Sequence, residues 1–144
     1  MTRDEFWQLM TLVDQDALED GDEDGALATL IAKVATLPEP EIFAFEENMA
    51  QSLYALDTRR LAAQSDGSDE GFLAARCYVV ARGRAYYEAV LADPEKMPKA
   101  DDAGCESLLY VASGAWAQAT GNDEDDWAFN ASVNFETGSN AGQW

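Results

Sequence analysis

The chain has 144 residues, 47% of them apolar, which is enough for one domain with a real core and too many for a disordered chain. Its 28 carboxylates against nine basic residues give a formal charge of −19, a field that repels nucleic acid and anionic membrane and attracts basic partners or cations. Histidine is absent, so histidine-dependent catalytic triads and histidine-ligated zinc sites are excluded.

No apolar run approaches the ~18 residues of a membrane span, so no membrane partner is expected. Phe6 to Met10, with carboxylates on both sides, reads as a helix start rather than a signal peptide. Cys77 and Cys105 stand in no metal-ligand spacing, which predicts reduced thiols in a cytoplasmic protein.

In chain order, Thr2 and Glu5 form a capping box for a first helix running to about Val13, with Phe6, Met10 and Val13 inward. Asp14 to Asp24 reads as an acidic connection, partly helical around Ala17 and Leu18. A second helix is expected over Gly25 to Thr36, and a third over Glu39 to Leu56, with Pro40 in its first turn. Asp57 to Ala63 predicts a short helix. Ser68 is a good N-cap for Asp69 to Arg82, and Gly83 permits a bend before Arg84 to Leu91. After a loop over Lys96 to Asp102, a last helix is expected from Ala103 to Thr120.

The pattern then changes. Asp123 to Asp126 is a charge run, and Phe129, Ala131, Val133 and Phe135 alternate with polar residues, the period of a short strand. The reading is therefore all-α: a helical domain of six to seven helices over residues 1–121, with an irregular acidic tail over 122–144. That tail is rich in Gly, Asn and Ser and is expected to be mobile or only peripherally docked.

Two charges fall on apolar helix faces. Arg76 shares a face with Phe72, Val79 and Val80, and Glu46 lies beside Ile42, Met49 and Leu53. A buried guanidinium needs a partner, and a structural ion pair between Glu46 and Arg76 is expected. The functional alternative is a pocket for a small anionic ligand, built from Arg76, Glu46, Phe72 and Tyr110.

Asp20, Asp22, Asp24 and Gly25 resemble the first half of an EF-hand loop, but Ile31 stands where the bidentate carboxylate belongs. A solvated acidic turn is the preferred reading, and no metal is expected. Cys105 near a helix start would have a lowered pKa, yet with no histidine a nucleophilic role is not expected. No glycine-rich phosphate loop or basic-aromatic stripe is present, and no cofactor is expected.

The run Ser68-Asp69-Glu70-Gly71-Phe72 is followed by Arg76, Val79-Val80 and Gly83-Arg84. Together with Phe6-Trp7, Phe45-Glu46 and the stretch Cys105 to Ala112, it resembles the bacterial domain of unknown function family 4240. The resemblance covers about Thr2 to Gly121; Asp57 to Arg60 depart from the family's aromatic-rich pattern, and the tail lies outside it. It implies a helical domain and carries no activity. Charge and the missing catalytic constellation leave a non-catalytic, immunity- or antitoxin-like binder of a basic protein as the leading expectation. The anionic-ligand domain or an unrecognised enzyme is the alternative.

Overall fold

The computed structural model describes residues 1–144 as eight α-helices joined by turns and short 3-10 segments, with no strand. Local sequence sets most of the starts. Thr2 and Glu5 close a capping box on α1 (Arg3–Met10), and Asp14 caps α2 (Gln15–Glu19). Asp22 caps α3 (Glu23–Val34), and α4 (Glu39–Ala55) carries Pro40 in its first turn. Thr58 caps α5 (Arg59–Ser65) and Ser68 caps α6 (Asp69–Ala81). Each such cap satisfies an orphan N–H and contributes ~1 kcal/mol. Gly83, at φ +101°, separates α6 from α7 (Arg84–Ala92), and Gly121 at φ +76° ends α8 (Val111–Thr120).

The core lies where α4 and α6 meet, with α1 laid over α4 and α3 against α8. Phe6 of α1 packs on Phe45 of α4 at 5.2 Å between ring centroids, and Trp7 reaches Tyr87 of α7 at 4.9 Å. Arg76 is the largest side chain fully enclosed in this core.

Four expectations are corrected. The first helix stops at Met10; Leu12 and Val13 turn back onto Leu9 and Met10 through tighter bonds that still bury Val13. The short helix after α4 begins at Arg59 rather than Asp57, because Thr58 caps it and leaves the Asp57 carboxylate free for other partners. The helix expected from Ala103 is split. Cys105 donates its N–H to the Ala74 carbonyl of α6, and Ser107 donates to the Glu23 carboxylate. Only a 3-10 turn (Glu106–Tyr110) therefore precedes α8. Gly25 lies inside α3, where a side chain would run into the capping carboxylate of Asp22.

The fourth correction concerns the tail, which is irregular but docked. From Trp127 to Thr137 odd-numbered residues are half-buried and even-numbered ones exposed, the alternation read from the sequence. No second strand lies beside this segment, so it makes no sheet. Phe129 instead stacks on Phe43 at 4.9 Å, Trp127 meets Trp116 edge-on, and the backbone bonds to helix side chains.

Candidate functional site

Arg76 is 0% exposed and does not pair with Glu46. Its guanidinium donates to the carbonyl of Leu53 on α4 at 3.1 Å, to the carbonyl of Phe135 at 2.9 Å and to Oγ1 of Thr137 at 3.1 Å. The Phe72 ring lies beneath it at 4.6 Å. Burial pulls the guanidinium below its usual pKa, and the fields of Asp57 and Glu136 oppose that shift. The expected ion pair is thus replaced by neutral oxygens that the chain itself supplies, with the tail closing over the charge.

Asp57 anchors the same segment and escaped the sequence reading. Fully buried, it accepts from the backbone N–H of Gly138 and Asn140, both at 3.0 Å, and from the indole of Trp144 at 3.1 Å. Glu47 on α4 takes the N–H of Ser132 at 2.8 Å and its hydroxyl at 2.7 Å. No sequence signal ties Asp57 or Glu47 to residues more than eighty positions away.

Glu46 faces a different place. It is 8% exposed, forms neither ion pair nor hydrogen bond, and lines an open cavity of about 550 Å³ roofed by residues 129–136. Burial first, and the neighbouring Glu47 second, push its carboxyl up to about 7. Of the four residues proposed from sequence for one pocket, Arg76 and Phe72 touch each other, and Glu46 lines the cavity on its own.

Tyr110 lies at another groove. It is 58% exposed at the start of α8, in a groove of about 480 Å³ with Leu27 and Ile31 of α3. Asp24 and Glu124 flank that groove, and Asp125 stands beside Tyr110 in the adjoining hollow. Glu124 is held there by the Ser113 hydroxyl at 3.0 Å. Two acidic blocks that are a hundred residues apart in sequence thus converge on one exposed aromatic ring.

Residues 1–118 match the sequence family described as protein of unknown function, DUF4240. The chain belongs to this family. No curated protein and no solved structure matches the chain. Within the matched region lie Glu46, Asp57, Phe72, Arg76 and Tyr110, whereas the segment that closes over Arg76 lies beyond it.

The cysteines correct one expectation. Cys105 is buried before the 3-10 turn, and burial first, then the Glu23 charge, push its thiol up to about 12 rather than down. Cys77 is raised as well by burial. In the acidic turn Asp22 is spent on capping α3. No three Cys, Asp or Glu side chains are grouped to hold a metal ion, and no helix is long and apolar enough to cross a membrane.

Proposed function

We propose that the chain is a non-catalytic interaction protein that docks a basic protein partner, as an immunity protein or antitoxin would, through the groove around Tyr110. The observation that carries this reading is the convergence of Asp24, Glu124 and Asp125 on a half-exposed tyrosine ring. Carboxylates around an aromatic face suit arginine and lysine, which gain both charge pairing and cation–π attraction. The surrounding surface adds to the field. Only Glu41, Glu19, Asp4 and Glu88, four of the 28 carboxylates, lie within ion-pair distance of a positive group. Two reduced cysteines fit a cytoplasmic setting.

The alternative, a small anionic ligand at Arg76, draws less support. That guanidinium is fully enclosed, and three of its hydrogen bonds already end on the chain's own oxygens. The docking reading is tested by titrating an oligo-arginine peptide and following backbone amide shifts. Shifts concentrated at Asp24, Tyr110 and Glu124, with at least fivefold weaker binding in Tyr110→Ala, are expected. Shifts spread evenly over the acidic surface would overturn it.

A further inference from the structure

The cavity at Glu46 shares no residue with the Tyr110 groove, so the two sites stand independently of each other. At about 550 Å³ it falls in the range of small-ligand sites. Its roof supplies apolar surface from Phe129, Val133 and Phe135, and amide groups from Asn130 and Asn134.

Glu46 is the unusual component. A glutamate residue that is only 8% exposed normally gives its carboxyl a hydrogen-bonding or cationic partner from the chain, and this one has neither. Its neighbours do not supply one. Glu47, beside it on α4, is occupied by Ser132 and Gln51, and Glu136 on the roof carries the same sign. No basic residue lines the cavity.

These features select the ligand's chemistry. An anion would face like charge, and an uncharged apolar molecule would leave Glu46 unpaired. A bare metal ion is best held by several clustered carboxylates, and no three Cys, Asp or Glu side chains are grouped here. A cation with several N–H donors and an alkyl stem satisfies the carboxylate and covers the apolar roof at once.

We propose that the cavity between α4 and residues 129–136 binds an alkylammonium or guanidinium group, with Glu46 as its counter-ion. The cation can come from a free amine or from a lysine or arginine side chain of a partner, and the test has an arm for each. Isothermal titration and amide shifts are recorded with n-butylammonium chloride and with a Gly-Gly-Lys-Gly-Gly peptide, against matched sodium chloride and sodium butyrate.

Saturable binding in the millimolar range is expected, with shifts at Glu46, Asn130 and Asn134 and none from butyrate. Tighter binding of n-butylammonium assigns a free amine, and tighter binding of the peptide assigns a partner's side chain; either supports the site. Affinity should rise between pH 6 and 8, because burial delays Glu46 ionisation into that range. In Glu46→Gln binding should weaken at least tenfold, and in Val133→Trp, which fills the cavity without removing the carboxyl, it should also be lost. Unchanged affinity in either variant, or shifts that never saturate, overturns the proposal.

Discussion

The guanidinium of Arg76 donates to the backbone carbonyl of Phe135, fifty-nine residues further along, at 2.9 Å. The charge at the centre of the helical domain is therefore completed by an irregular segment outside the family region. Arg76→Ala removes three hydrogen bonds from a charged donor and opens a cavity, so a loss of about 3 kcal/mol or more is expected. Double-mutant cycles in denaturant separate its partners. Coupling with Thr137→Val should exceed ~1 kcal/mol, and coupling with Glu46→Gln should stay within ~0.5 kcal/mol. Strong coupling to Glu46 would restore the ion pair that sequence alone suggests.

Asp57 is the second clamp on that segment. Asp57→Ala leaves the N–H groups of Gly138 and Asn140 and the Trp144 indole without their acceptor. Loss of ~2–4 kcal/mol is expected, and limited proteolysis should then cut between Thr137 and Trp144 before it cuts any helix. Trp144→Phe removes one of these bonds and should weaken the clamp less. Equal protease resistance in Asp57→Ala and the parent would show that aromatic packing alone holds the segment.

The two clamps also explain which parts of the structure were legible in the sequence. Caps such as Thr2 with Glu5, and Ser68, are local chemistry, and they mark the starts of α1 and α6. The inward placement of Arg76 was legible from the 3.6-residue spacing. Its acceptors were not, because two are backbone carbonyls and the third is a threonine hydroxyl, none with a charge signature. Alternation from Trp127 to Thr137 was legible as a period and misleading as a strand, since one extended segment has no ladder to join. The meeting of Asp24 with Glu124 depends on α3 packing against α8, which no local pattern encodes.

Charge makes a prediction that no single residue makes. With a formal −19 and four ion pairs, self-repulsion opposes the compact state. Salt screens such repulsion over roughly 10 Å at 0.1 M. Tm should therefore rise between low salt and ~0.5 M sodium chloride, and further with charge-removing changes such as Asp24→Asn or Glu124→Gln. A flat or falling curve would mean that the carboxylates are too dispersed to repel one another.

Glu46 gives the pH dependence its sign. Below its ordinary value of 4.5 the carboxyl is protonated in both folded and unfolded chains and contributes nothing. Above that value the unfolded carboxyl ionises, while burial, reinforced by Glu47, holds the folded one neutral to about 7. The native state then binds more protons, so this group's contribution falls as pH rises and levels off once both forms are ionised. The full loss is of order 3 kcal/mol. Glu46→Gln keeps the shape without the ionisation, so it should match the parent near pH 4 and exceed its stability by roughly 2–3 kcal/mol at pH 8. The comparison belongs in phosphate buffer, because an amine buffer could occupy the cavity and offset the penalty. Urea melts of both proteins at several pH values give the difference directly, with other carboxylates cancelling between them. A difference that fails to grow between pH 4.5 and 7 would place the Glu46 carboxylate in contact with water or with a cation of the chain.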